Sequence, residues 1–302
     1  MDFLSALKEK INPDSILTNE LMSAHTTFRV GGPAKYYVSP GNIDEIRECI
    51  NIARQYNIEY MVVGNGSNLL VSDEGYDGMI LAIGRNFADI SIEDTKITAK
   101  SGASLASIFS AAKNAGLAGF EFAAGIPGTL GGACFMNAGA YDGEMKDVLL
   151  KVTVLDDEGA IKTYDKGSMN FSYRKSSFQE NGETVLEAVI ELSHGNVEEI
   201  TQKARLLAEK RMEKQPLEYP SAGSTFKRPE GFFAGALIEQ AGLKGAGVGG
   251  ACVSEKHAGF IINRNNASAK DIYDTINFVI EKVKDNSGIT LEPEIRFLGS
   301  FS

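Results

Sequence analysis

Six glycines lie between Phe122 and Glu144, in F-A-A-G-I-P-G-T-L-G-G-A-C-F-M-N-A-G-A-Y-D-G-E, and no basic residue interrupts the run. Glycine at this density lets backbone N–H groups approach a ligand with no side chain in the way. Pro127 fixes one φ and biases Ile126 towards an extended conformation. Thr129 or Gly128 is then placed to cap a short helix beginning at Leu130. Such a helix start offers free N–H groups to an anion or to a flat, polar-edged ligand. A tight structural turn packed against small residues accounts for the same composition.

A second glycine loop, G-N-G-S-N, spans Gly64–Asn68. It reads G-x-G-x-x-L, lacks a third glycine and runs straight into Leu69-Leu70-Val71. A dinucleotide-binding loop has to open a helix, so that reading fails on context. A strand–loop–strand turn still forms a nest of N–H groups suited to a pyrophosphate; a plain hairpin turn is the alternative. Gly245–Gly250 does match G-x-G-x-x-G, but it follows a helix end and is a coincidence of composition.

Three segments add polar groups. Arg174, in S-Y-R-K-S after Phe171, has the fork geometry to clamp a carboxylate, or is a solvated surface charge. P-S-A-G-S-T-F-K-R-P, Pro220–Pro229, leaves room for a ligand beside Lys227 and Arg228, or is a polar loop. In L-E-P-E-I-R-F, Leu291–Phe297, period two puts Leu291, Pro293, Ile295 and Phe297 on one face and Glu292, Glu294 and Arg296 on the other. Pro293 restricts this strand to a sheet edge or a strand start. Glu294 there faces either solvent or a cleft.

The elements that must position these groups are legible from periodicity. Phe3, Leu4, Leu7 and Ile11 mark a helix ended by Asn12-Pro13. Capping boxes open helices at Asn42 and Asn196, and a third capped helix starts at Ser268. Another helix is expected near Ser104–Ala115 and one near Phe233–Ala241. Strands are expected at Lys35–Val38, Tyr60–Val63, Ile90–Ile92, Ile97–Ala99, Val148–Leu155, Ile161–Tyr164, Val185–Leu192, Phe260–Ile262 and Thr290–Phe297. Strands and helices mix without regular βαβ alternation, so the class is α+β.

At 302 residues the chain holds two or three domains. Its net charge of −10 argues against broad nucleic-acid or anionic-membrane binding. Cys49, Cys134 and Cys252 have neither zinc nor disulfide spacing, and three scattered histidines argue against a metal centre. No signal peptide or membrane span is visible. A cytoplasmic monomer is expected.

Together, T-T-F-R-V-G-G-P-A, V-G-N-G-S-N-L-L-V, G-I-P-G-T-L-G-G-A-x-x-M-N-A-G-A-Y, Y-R-x-S-x-F, A-G-S-x-F-K-R-P and L-E-P-E-I-R-F resemble the UDP-N-acetylenolpyruvoylglucosamine reductase family, MurB, in order from about Leu21 to Gly299. The resemblance implies a two-part FAD-binding region of the vanillyl-alcohol oxidase and p-cresol oxidase type, followed by an α+β substrate-binding domain. The expected parts are 1–85 and 86–199 for FAD and 200–302 for substrate, with 290–302 free to return to the first part. The implied reaction belongs to peptidoglycan precursor synthesis. NADPH reduces FAD, and the flavin reduces the enolpyruvyl ether of UDP-N-acetyl-enolpyruvoylglucosamine to give UDP-N-acetylmuramate.

Residue by residue, the resemblance implies that Gly64, Asn65, Gly66, Ser67 and Asn68 cradle FAD, as do Gly125, Ile126, Pro127, Gly128, Thr129, Gly131 and Gly132, with Asn137 and Arg296 beside the cofactor. The first loop carries no histidine, so FAD is expected to be non-covalent. Arg174 would bind the substrate carboxylate, Ser224 would donate the proton, and Glu294 would assist as an acid or through a bridging water. Tyr173, Lys227, Arg228 and Gln240 would grip the nucleotide sugar. The chain lacks the inserted loop and capping tyrosine of the longer family type and resembles the compact subtype, which leaves its diphosphate contacts open. Two other readings stand beside this one: an FAD-dependent oxidase of the same fold acting on a small alcohol or sugar, and a non-catalytic UDP-sugar sensor.

Overall fold

The computed structural model describes residues 1–141 and 143–301. Helices and strands are intermixed along the chain, which is the α+β class expected. By backbone contacts the chain divides into two compact units. The first comprises Met1–Leu17, Tyr37–Asn65 and Met79–Lys210; the second comprises Thr18–Tyr36, Gly66–Gly78 and Arg211–Ser302. A four-stranded sheet has the order Ile16–Leu21, Pro33–Val38, Tyr76–Ala82, Tyr60–Val63. Its first and third strands were not anticipated from the sequence.

The first unit is built on an antiparallel five-stranded sheet, ordered Ile161–Asp165, Leu149–Leu155, Thr184–Glu191, Lys96–Lys100, Ile90–Glu93. Ile97 and Ala99 are buried and alternate with Lys96, Thr98 and Lys100, the two-residue period of a half-buried strand. They join Val152, Val154, Ala188 and Ile190 in one core with Leu105, Ile108 and Leu130 from two helices. Those helices are Leu105–Asn114, capped by Ser104, and Leu130–Phe135. Ahead of the second helix, Glu121 is buried. Its carboxylate accepts the Gly119 N–H at 3.1 Å and the Lys203 ammonium at 3.0 Å, which anchors the start of the glycine stretch. The helix Ile43–Gln55 begins as its capping signal requires, with Asn42 accepting the Glu45 N–H at 2.9 Å.

In the second unit the helix Ala269–Ser287 covers the sheet Gly247–Val248, Ala251–Val253, Ile261–Asn263. Ile272, Thr275, Ile276, Val279 and Val283 are its buried stripe, at the 3.6-residue period. Ser268 and Asp271 close a capping box, and Asp73 accepts the Ala269 and Lys270 N–H groups at 2.8 and 2.9 Å. The strand Leu69–Val71 pairs in parallel with Arg296–Leu298. The expected strand Thr290–Phe297 is therefore shorter than read. Pro293 has no N–H to give a ladder, and upstream of Arg296 the chain makes only a bridge from Pro293 to Phe226. Phe297, read as sharing a face with Leu291 and Ile295, is 37% exposed where those two are buried, and packs edge-on against Tyr273.

Candidate active site

In the first unit the two glycine loops meet. A Cβ at Gly64 would overlap the Thr129 hydroxyl oxygen, so only glycine allows this approach. The Asn65 amide reaches the Pro127 carbonyl at 3.5 Å. Asn65, Gly125, Pro127 and Gly132 are exposed around that contact, while Ile126, Gly128 and Gly131 are half-buried. The helix opening at Leu130 is capped by Thr129, one of the two candidates, whose hydroxyl accepts the Gly132 N–H at 3.5 Å. Its first donors are not free, however. The Leu130 N–H goes to the Ala103 carbonyl and the Gly131 N–H to the Ser101 carbonyl, both at 2.8 Å. The turn at 101–103 packs against the helix start and takes the donors that a ligand was expected to use.

Gly66, Ser67 and Asn68 belong to the second unit. Gly66 has φ +59, and a Cβ there would overlap the His25 carbonyl oxygen. The flanking strands Tyr60–Val63 and Leu69–Val71 lie in different sheets, so the loop is no hairpin turn. Asn68 donates its amide to the Glu294 carbonyl at 3.1 Å and accepts the Arg296 N–H at 3.0 Å. Ser224 and Glu294 are brought together on the same unit. The Glu294 N–H bonds the Thr225 carbonyl, and the Lys227 N–H bonds the Glu292 carbonyl, both at 2.8 Å. Ser224, exposed, sits one residue before that pairing, and Glu294 is half-buried. Thr225 is locked from behind. Its N–H bonds the Gly259 carbonyl at 2.9 Å, and its hydroxyl accepts the Ile261 N–H at 3.1 Å. Arg296 reaches solvent, yet the protein packed around it lowers its pKa by desolvation; an arginine stays charged near neutrality all the same.

The other predicted cations have partners. Lys227 pairs with Glu292. The Arg228 guanidinium lies 3.9 Å from the ring centroid of Phe233, which is 61% exposed. Gln240 is the exposed last residue of the helix Ala234–Gln240.

Arg174 belongs to the first unit. It occupies a two-residue turn closed by mutual backbone bonds between Ser172 and Lys175, and its φ is +56. A non-glycine residue in this region is strained by about 1–2 kcal/mol. The guanidinium bonds the Asn137 and Gly139 carbonyls at 3.5 and 3.2 Å and lies 5.1 Å from the ring centroid of the exposed Tyr173. Gln179 bonds the Arg174 carbonyl at 3.0 Å and the Phe135 carbonyl at 2.6 Å. No local pattern could have revealed Gln179, because its partners lie on backbone rather than in a spaced motif.

Among the described residues no group of histidine, cysteine and carboxylate side chains could hold a metal ion, and no helix is long and apolar enough to cross a membrane. Cys134 is fully buried, and burial pushes its thiol pKa far up, so it offers no thiolate.

A family model described as an FAD binding domain matches residues 34–165, the span holding both glycine loops, and it defines a flavoprotein. A second, the C-terminal domain of UDP-N-acetylenolpyruvoylglucosamine reductase, matches residues 215–298. The chain belongs to the UDP-N-acetylenolpyruvoylglucosamine reductase family. It is 50% identical to the reductase of Caldanaerobacter subterraneus subsp. tengcongensis, over 97% of both chains. With that of Clostridium tetani it shares 48% identity, over 99% of this chain and 97% of the relative. The crystal structure of the reductase MurB from Thermus caldophilus superposes with a TM-score of 0.79 at 36% identity, covering 93% of this chain and 98% of that one. Phl p 4, a grass pollen allergen with glucose dehydrogenase activity, matches 65% of this chain and 45% of its own at TM-score 0.51. At 17% identity, that likeness is one of fold alone.

Proposed function

We propose that this protein reduces UDP-N-acetyl-enolpyruvoylglucosamine to UDP-N-acetylmuramate, with NADPH as electron donor and FAD as bound cofactor. The observation that carries the reading is the short ladder placing Ser224 beside the Thr225–Glu294 pairing, with Asn68 of a glycine loop bonded to Glu294.

The residues fit FAD. Gly64 and Asn65 meet Pro127 and Thr129 with exposed, uncharged backbone around the contact, and the first loop carries no histidine to bond the cofactor covalently. Gly66, Ser67 and Asn68 extend the first loop, and Gly125, Ile126, Gly128, Gly131 and Gly132 the second. When bound, FAD would supply the hydride for the vinyl ether, with NADPH as the source of electrons. The chain's own residues do the rest. Arg174 holds the substrate carboxylate through its planar fork and stabilises the negative charge that develops there. Ser224 delivers the proton to the carbon next to that carboxylate. An alcohol is a weak acid, and Glu294, whose backbone pairs with the neighbouring Thr225, supplies polarity as an acid or through a water. Tyr173, Lys227, Arg228 and Gln240 grip the nucleotide sugar, and Arg296 stands beside the flavin. The working division is 1–85 and 86–199 for FAD and 200–302 for substrate, with 290–302 returning to the first part. The enzyme acts as a monomer in the cytoplasm.

A spectrum and one titration test this reading. The purified protein is yellow, anaerobic NADPH bleaches it, and the enolpyruvyl substrate restores the colour. A protein that consumes oxygen with a small alcohol and ignores NADPH would be an oxidase of this fold. A colourless protein that binds the UDP-sugar would be a sensor.

A further inference from the structure

Asn137 is fully buried, so its side chain presents no surface to a ligand, and both hydrogens of its amide are engaged within the protein. Its two amide hydrogens go to the Glu144 carboxylate at 2.5 Å and the Ser172 carbonyl at 3.0 Å. Its side-chain oxygen accepts the Lys146 N–H at 3.0 Å. A primary amide donates two hydrogens, and both are used. The residue adopts φ +42, which asparagine tolerates better than most residues. This conformation turns its carbonyl towards the Arg174 guanidinium.

Each of these bonds bears on the turn that carries Arg174. Ser172, held by the Asn137 amide, is one half of the Ser172–Lys175 pairing. The Asn137 and Gly139 carbonyls receive the guanidinium, and Gln179 ties the Arg174 carbonyl to that of Phe135. Four anchors thus hold a strained residue: Asn137 side chain, Asn137 carbonyl, Gly139 carbonyl and Gln179 amide. Strain persists only where the surroundings over-determine it. Glu144 fixes the Asn137 amide in turn, and the Lys146 ammonium holds Glu144 at 2.8 Å.

We infer that Asn137 is a positioning residue for Arg174 and does not touch the cofactor, with Gln179 as its counterpart on the other side of the turn. The inference rests on the reading of Arg174 as the carboxylate clamp. Geometry of this kind matters because a displacement of about 1 Å at a clamp can cost about 100-fold in rate.

The test uses the holoenzyme and three readouts: the FAD dissociation constant, flavin bleaching by NADPH, and single-turnover reoxidation by the enolpyruvyl substrate. In Asn137→Ala the first two stay within about threefold of wild type, while reoxidation slows about 10- to 100-fold. The Asn137→Ala/Arg174→Ala double variant is no slower than Arg174→Ala alone, since residues acting as a unit are not additive. Should Asn137→Ala not fold, Gln179→Ala removes an anchor without emptying a buried site, and it shows the same selective slowing. A loss of FAD affinity beyond tenfold with normal reoxidation at saturating FAD would make Asn137 a cofactor ligand and overturn the inference. Tryptic cleavage after Arg174 separates this inference from the clamp reading. It rises about tenfold in Asn137→Ala if the turn loses its anchors. Faster cleavage, together with normal reoxidation in Arg174→Ala, removes the clamp and keeps the positioning role. Unchanged cleavage with unchanged reoxidation removes the positioning role itself.

Discussion

Asn68 and Glu294 are joined through backbone as well as side chain: the Asn68 amide donates to the Glu294 carbonyl at 3.1 Å, and the next N–H but one, that of Arg296, returns to the Asn68 carbonyl at 3.0 Å. The Asn68 side chain is thereby a clasp that sets where the Glu294 carboxyl starts. Asn68→Ala leaves that carbonyl without its donor and costs about 1 kcal/mol of stability in denaturant titration. Asn68→Asp costs more, because a carboxylate cannot donate and repels the carbonyl. Equal midpoints for both variants and wild type would deny the clasp.

Ser224→Ala keeps rapid bleaching by NADPH and slows reoxidation by the enolpyruvyl substrate about 10²- to 10⁴-fold, the range of a lost general acid. Stopped-flow absorbance of the flavin separates the two half-reactions. Normal reoxidation would take the proton away from Ser224.

Arg174→Lys keeps the charge and loses the fork, so it is nearly as slow in reoxidation as Arg174→Ala. Arg174→Gly relieves the strain at φ +56. It is therefore at least as stable as Arg174→Ala in thermal unfolding, although just as inactive. A lysine variant with wild-type rates would show that charge alone suffices.

Acid reaches Ser224 through His257. The His257 ring accepts the Gly259 N–H at 3.1 Å, and the Gly259 carbonyl holds the Thr225 N–H. Burial keeps the imidazole pKa below the ordinary value of 6.5, with Lys244 lowering it further and Glu239 opposing. A proton on that ring nitrogen would abolish the bond. With the folded pKa depressed, the stabilisation is complete above about 6.5 and is lost as pH falls through that value towards the folded one. Stability and reoxidation rate therefore fall together as pH drops below about 6.5. His257→Asn, whose side-chain oxygen can accept the same N–H without titrating, flattens that fall. A variant with the wild-type pH profile would absolve His257.

Gly66→Ala combines φ +59 with overlap on the His25 carbonyl. It destabilises by about 2 kcal/mol or more and weakens FAD retention on gel filtration. A stable, fully yellow variant would mean the loop can shift freely.

The class, most elements and the positions of both glycine loops were legible in the sequence. Turn chemistry, caps and periodicity are local, and the Thr129 and Ser268 caps fall where they were expected. What escaped depends on partners far along the chain. The Leu130 and Gly131 N–H groups look free until the turn at 101–103 packs against them. Asn137 sits in a ligand-like motif, yet Ser172 and Glu144 consume its amide. The strand at Arg296–Leu298 was read too long because alternation continues through Pro293 and hydrogen bonding does not.

The pairing of Leu69–Val71 with Arg296–Leu298 has a consequence for biosynthesis. The two partners are 227 residues apart, from Leu69 to Arg296. During translation the earlier segment emerges with an open hydrogen-bonding edge and stays so until the ribosome has reached Arg296–Leu298. At roughly 5–20 residues per second this leaves a bare strand for about 10–45 s. A nascent chain stalled before residue 296 should be a ready client for chaperones.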